Sequence, residues 1–298
     1  MTFQVNKSPF SGQDGKFLTS RQIKERLDQE LKHNVALCVD QTDDPDKFRV
    51  SGRGELHLSV LVETMRREGF ELAVSRPEVI MNEINDVLHE PWEKLTVDFE
   101  EAFQGSVMTR IAERKGELQN MQPDGKGRIR LDYIIPTRGL IGFRTEYMTI
   151  TSGTGLMFHI FDKYAPKVKG LIAQRNNGTL ISKIQGKALA YALFNLQDRG
   201  KLFIGHGEPV YEGMIIGIHN RQNDLVVNPA KAKQLTNIRA AGNDENIILT
   251  RPLNLSLEES LEFIDDDELL EVTPHNLRIR KKSLSESDRK RESRQKIL

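Results

Sequence analysis

Apolar residues alternate at Phe3 and Val5, fall at helical spacing at Ile23, Leu27 and Leu31, then alternate again at Val35, Leu37 and Val39 and at Phe48 and Val50. Leu56, Val60, Leu61 and Met65 return to helical spacing, and Leu72 and Val74 alternate once more. The order this predicts is βαββαβ. Thr19 and Gln22 stand at capping-box spacing ahead of the first helix, and Asp43-Asp44-Pro45-Asp46 supplies turn chemistry between the two middle strands.

The same order returns further along. Leu95, Val97 and Phe99 predict a strand, Val107 and Ile111 a helix, and Pro123 to Gly127 a hairpin leading into Ile129, Leu131, Tyr133 and Ile135. Leu140, Phe143, Tyr147 and Ile150 then read as one helix ended by Gly153 and Gly155, before a strand around Met157 to Phe161. From about Gly170 the apolar pieces shorten and Gly and Asn separate them, which predicts a mostly β region with a capped helix starting at Ser256. The fold class predicted is therefore α+β: two tandem ferredoxin-like units (1–84 and 85–171), then a mostly β C-terminal domain (172–298) with one or two helices. The charged tail, 283–298, carries no apolar periodicity and is expected to be frayed.

Composition changes this picture in one respect. The 43 basic and 43 acidic residues balance, which by itself weakens the case for a nucleic-acid partner. Residues 258–271, however, carry eight acids and no base, and residues 278–298 carry nine bases and three acids. Consecutive acids such as Asp265 to Glu268 pair more readily with a basic neighbour than with a metal ion, and Arg278 to Lys282 is the obvious neighbour. The single cysteine, Cys38, forms no internal disulfide and reads as a small apolar core residue. With no membrane-length apolar run and no signal peptide in this sequence, a cytoplasmic setting is expected.

Enzymatic chemistry finds little support. In Ser51-Gly-Arg-Gly-Glu-Leu-His-Leu58, Gly52 and Gly54 open a helix but lack the third glycine of a dinucleotide fingerprint and the Gly-Lys-Ser/Thr of a phosphate loop. A glycine-permitted turn feeding a core-packed helix is the reading preferred. The seven histidines show no metal-ligand spacing, His206-Gly-Glu208 reads as loop, and no serine elbow occurs, so no catalytic, metal or cofactor site is expected. A different candidate lies at 228–243, where Lys231, Lys233 and Arg239 are spread among small and polar residues with no acid. That loop suits a polyanion: the three bases meet phosphates, and Asn237 can donate to a phosphate or bond a 2′-hydroxyl. An ordinary surface loop is the alternative.

Taken in order, the motifs resemble one family. "SGRGELHL" (51–58) and "RPEVIMNE" (76–83) are similar to domain III of elongation factor G, with Ser59 departing from the usual acid. "EP" (90–91), "GSV" (105–107), "ERKGEL" (113–118), "RGLIGF" (138–143) and "SGTG" (152–155) follow its domain V. The domain between these two in elongation factor G is absent. Residues 197–221 and 261–274 resemble the C-terminal domain of the BipA/TypA family of translational GTPases. The resemblance implies the C-terminal half of such a GTPase, acting in large ribosomal subunit assembly and stress adaptation. Its GTPase domain, with GTP and Mg, and a β-barrel domain would precede Met1, so this chain itself is expected to be no enzyme. Implied partners are the ribosome near its A site, ribosomal RNA, and a tRNA acceptor end met by the 228–243 loop. The chain is expected to be a monomer with no membrane contact. A protein-interaction scaffold without RNA contact is the competing function.

Overall fold

The computed structural model describes residues 1–170, 172, 175, 177–232 and 247–295. The chain forms two compact units. One joins Met1–Arg76 to Arg175–Leu298, and the other is Pro77–Gln174.

The first unit starts with β1 (Thr2–Val5), α1 (Ser20–Leu31), β2 (Cys38–Gln41), β3 (Lys47–Ser51), α2 (Glu55–Glu68) and β4 (Leu72–Val74), the predicted order. The strands pair antiparallel as β4-β1-β3-β2. Thr19 and Gln22 form the predicted capping box on α1, which buries Ile23 and Leu27. Three details differ from the pattern reading. Val35 is 99% exposed because Leu37 N–H closes a turn onto the Asn34 carbonyl, which leaves Val35 at the tip and delays the strand to Cys38. Cys38 is exposed, since its neighbours Leu37 and Val39 take the inward side of an edge strand. On α2 the core stripe is Leu58, Leu61, Val62 and Met65, whereas Leu56 and Val60 are 70% and 55% exposed. Leu56 stands about 200° around the helix from Leu58 and cannot share its face.

The second unit contains β5 (Asn82–Ile84), β6 (Val87–Glu100), α3 (Gln104–Glu113), β7 (Glu117–Pro123), β8 (Arg128–Pro136), α4 (Thr137–Leu140), α5 (Phe143–Ile150) and β9 (Leu156–Pro166). Its four long strands again pair antiparallel, as β7-β8-β6-β9. One sheet face packs Leu95, Val97, Phe99, Leu131 and Ile135 against Val107, Ile111, Phe143 and Tyr147. Between β5 and β6, Asn85 and Asp86 take positive φ (52° and 60°), the backbone of a two-residue hairpin. The 84/85 boundary drawn from periodicity falls in this turn. The helix predicted from Leu140 to Ile150 is broken, because Gly142 adopts φ 68° between α4 and α5. Gly153 caps α5 by donating to the Met148 carbonyl at 2.8 Å. Gly155 makes room for Tyr147, whose hydroxyl would meet a Cβ there at 2.6 Å.

The chain then returns to the first unit through β10 (Thr179–Ser182), β11 (Gly186–Lys187), α6 (Ala190–Gln197), β12 (Gly200–Leu202), β13 (Pro209–Val210), β14 (Met214–His219), β15 (Leu225–Val227), α7 (Leu257–Phe263), β16 (Glu268–Val272), β17 (Leu277–Lys281) and α8 (Glu286–Gln295). Among the described residues this region has three helices, one more than the pattern allows. α6 was hidden by its uniformly apolar sequence, and α8 lies in the tail expected to fray. The capping box of Ser256 and Glu259 is present on α7.

A continuous sheet unites the first segment with the last. β16 pairs antiparallel with β4, placing Leu270 opposite Val74 and Val272 opposite Leu72. Among the described residues, ten strands thereby form one sheet, and one core runs from Phe3 and Met65 to Ile215 and Leu261. Two wholly buried carboxylates lie along the seam. Glu271 accepts from Asn6 Nδ2 (2.9 Å), Ser8 Oγ (2.8 Å), Tyr211 Oη (2.7 Å) and Arg278 Nη1 (3.2 Å). Glu71 accepts from the same Asn6 amide (2.8 Å) and from the Gly12 and Gly15 N–H groups. Asn6→Ala removes a donor from both, so urea unfolding is expected to show a loss of about 2 kcal/mol or more. Asn6→Asp, which adds a third carboxylate, should cost more. Wild-type stability in both variants would contradict the role given to Asn6.

Candidate RNA interface

The 228–243 loop is built on a defined root. The Lys183 N–H donates to the Val227 carbonyl (2.8 Å), the Leu189 N–H donates to Pro229 (2.9 Å), and Asn228 Oδ1 accepts from the Ala230 N–H (3.0 Å). Lys231 follows this anchored stretch and is exposed. Lys233, Asn237 and Arg239 lie outside the described residues. The chain comes back along α6, where the Thr250 N–H donates to Gln197 Oε1 (3.1 Å) and the Leu253 N–H donates to the Leu202 carbonyl (2.8 Å).

The opposed charge blocks are partly spent on each other, across β16 and β17. Lys281 reaches Asp224 (2.7 Å), Asp267 (2.9 Å) and Glu268 (3.0 Å), and Arg175 reaches the wholly buried Glu268 at 2.8 Å. Burial pushes the Lys281 pKa down, but Glu268, Asp267 and Asp224 outweigh it, and the net shift is upward. Arg278 serves Glu271 and Asp14 (3.4 Å). On α8, Lys290 pairs with Glu286 (2.6 Å) and Arg291 with Asp288 (3.3 Å). The acid-to-base pairing expected from sequence is thus present, and it leaves β17 little free charge for a polyanion.

The quoted motifs perform structural work. Gly52 is required by close approach, since a Cβ there would stand 2.8 Å from His57 Nδ1. That nitrogen accepts the Arg53 N–H (3.2 Å), and Nε2 lies 2.8 Å from the Asn34 amide nitrogen. Arg114 of "ERKGEL" donates to the Gly139 and Ile141 carbonyls (2.8 and 3.0 Å), bonds Glu146 and covers the Phe143 ring, so it clamps "RGLIGF". Arg138 of that motif forms a two-point pair with Glu90 (2.5 and 3.2 Å), a carboxylate with no exposure, which also accepts the Val168 N–H (2.7 Å). No spacing rule could have found this pair, because the partners are 48 residues apart.

Glu55 is one of the exceptions to satisfied pairing among the described residues. Its Oε1 is buried without a hydrogen-bond partner, and burial, reinforced by Glu262 and opposed by Arg76, raises its pKa to about 7. Among the described residues there is no group of three or more His, Cys, Asp or Glu able to hold a metal ion, and no helix is long and apolar enough to cross a membrane.

Comparison with known proteins defines the class first. Residues 87–175 match the family described as elongation factor G C-terminus, so the second unit is similar to that domain class. Residues 177–286 match the TypA/BipA C-terminal domain. The Large ribosomal subunit assembly factor BipA of Salmonella typhimurium is 65% identical over 294 residues, covering 99% of this chain and 48% of that relative. Those of Haemophilus influenzae and Buchnera aphidicola are 63% and 60% identical over 99% of this chain, and 48% and 49% of their own lengths. The chain belongs to the BipA/TypA family and corresponds to the C-terminal half of its members. It spans about half the length of the curated relatives it matches.

Two outcomes follow from the pairing. Arg138→Ala strands the Glu90 charge in the interior and should destabilise the second unit by about 3–5 kcal/mol in chemical denaturation; a loss under about 1 kcal/mol would show the pair is dispensable. For Glu55 the folded pKa lies above the ordinary 4.5, so its contribution to stability is full below that pH and is lost as pH rises through about 7. Glu55→Gln should therefore melt higher than wild type at pH 8 and match it below about pH 5. A pH-independent difference would contradict the assignment.

Proposed function

We propose that this chain is the ribosome-docking, RNA-contacting portion of a translational GTPase that serves large ribosomal subunit assembly, including under stress. The observation that carries this reading is the likeness to relatives named large ribosomal subunit assembly factor over 99% of the chain. In such a longer protein, GTP and Mg would be held by the half this chain does not match, and the present chain would position rather than hydrolyse. The two βαββαβ units read as ferredoxin-like domains, a reading supported by their matching antiparallel strand orders. In this proposal the 228–243 loop points toward a tRNA acceptor end near the A site, in the cytoplasm. Lys231, Lys233 and Arg239 meet phosphates there, and Asn237 meets a 2′-hydroxyl.

A scaffold reading draws on one observation, the exposed apolar residues Leu156, Phe158 and Ile160 of β9. Salt separates the two, because each neutralised phosphate contributes a slope of roughly 0.7–0.9 in log affinity against log salt. Lys231→Ala, Lys233→Ala and Arg239→Ala together should weaken binding to large ribosomal subunits and flatten that slope, with the melting temperature nearly unchanged. A triple variant with wild-type affinity and slope would remove the loop from the interface. Binding by the wild type that ignores salt would favour the scaffold.

A further inference from the structure

We infer that the outward face of α6 is a stacking platform for an unpaired RNA base, ringed by bases that hold the adjoining phosphates. The inference rests on the RNA-binding reading above and extends it from the described root of the loop to α6. α6 carries Phe194, 42% exposed, and one helical turn before it the half-buried Tyr191. The helix's other side, Ala192, Leu193 and Leu196, is buried in the core beneath. Two aromatic rings at i and i+3 share one side of a helix, so Tyr191 and Phe194 flank a single surface.

The chain itself marks this surface. It leaves the sheet beside the N-terminal end of α6, where Leu189 holds Pro229 and Gly186 lies against Ala230 (3.6 Å from a Cβ placed there). It comes back at the other end, where Gln197 bonds Ile248 and Thr250. Eight helical residues separate those two points by about 12 Å. At the first end stand Lys187 and Lys231, and at the second Arg199 and Arg251, all four exposed. None of the four takes part in a recorded ion pair among the described residues, in contrast to Lys281, Arg278 and Lys290. Of the nearby acids, Glu208 accepts the Gly205 N–H (2.7 Å), and Asp198 closes the helix through its backbone N–H with its side chain exposed.

The chemistry of this arrangement selects its partner. Free cations at both ends of an exposed aromatic face suit a polyanion whose rings are unpaired, since a stacked base needs an accessible π-face and its flanking phosphates need charge. A duplex offers the phosphates alone. A single-stranded RNA end satisfies both halves of the site.

The test uses the whole chain, a short single-stranded RNA of mixed sequence, and the same RNA annealed to its complement. Phe194→Ala should weaken single-strand binding about 5-fold or more while leaving the salt slope and the duplex affinity unchanged, because it removes stacking and no charge. Lys187→Ala with Arg251→Ala should instead flatten the slope on both RNAs. Phe194→Trp should retain binding, and its emission should be quenched by the single strand. Phe161→Ala, 55% exposed in the other unit, serves as the control and should bind as wild type. Equal single-strand affinity in Phe194→Ala and wild type, or an unquenched Phe194→Trp, overturns the platform while leaving the loop proposal intact. A wild-type chain that fails to bind large ribosomal subunits overturns the proposed function instead.

Discussion

The first unit depends on how it accommodates two carboxylates that it places wholly out of water. Glu71 and Glu271 are far apart in sequence, yet one amide, that of Asn6, donates to both. Burying an ionised carboxylate costs several kcal/mol unless donors and a counter-charge meet it. Glu271 finds them in Ser8, Tyr211 and Arg278. These donors come from both segments of the unit, so the carboxylate is satisfied only when β4 and β16 lie side by side. The electrostatics and the sheet register therefore enforce each other, and Phe3, Met65, Leu261 and Leu270 close one core around them.

The same economy explains why a chain with no net charge carries such segregated charge. Glu268 and Glu271 face Lys281 and Arg278 across the β16–β17 hairpin, and Lys281 alone serves three carboxylates. Pairing of this kind holds the fold and removes those cations from recognition. Cations outside that pairing remain for a polyanion, among them Lys187, Lys231, Arg199 and Arg251, exposed at the loop root and around α6.

Both βαββαβ orders were legible, because alternation and helical spacing report directly on which side chains face a core. The candidate loop was legible as charge pattern, although only Lys231 of its four named residues falls among those described. Other features left no local trace. The Glu90–Arg138 pair joins residues 48 apart, and α6 is too short and too evenly apolar to show a helical stripe. The break at Gly142 was concealed because Leu140, Phe143 and Tyr147 all reach the core despite it. Cys38 and Leu56 misled for a common reason: an apolar side chain at a compatible spacing need not be on the buried side. The union of the first and last segments was invisible, since strand patterns carry no information on which edge a later strand will join.

That union is the central claim, and native-state hydrogen exchange tests it most directly. The backbone amides of Leu72–Val74 and Glu268–Val272 should share one opening free energy and one dependence on denaturant, because neither strand can open without exposing the common core and Glu271. If the amides of β1, β3 and β4 remain protected under conditions where those of β16 and β17 have exchanged, the two segments fold separately and the account is contradicted.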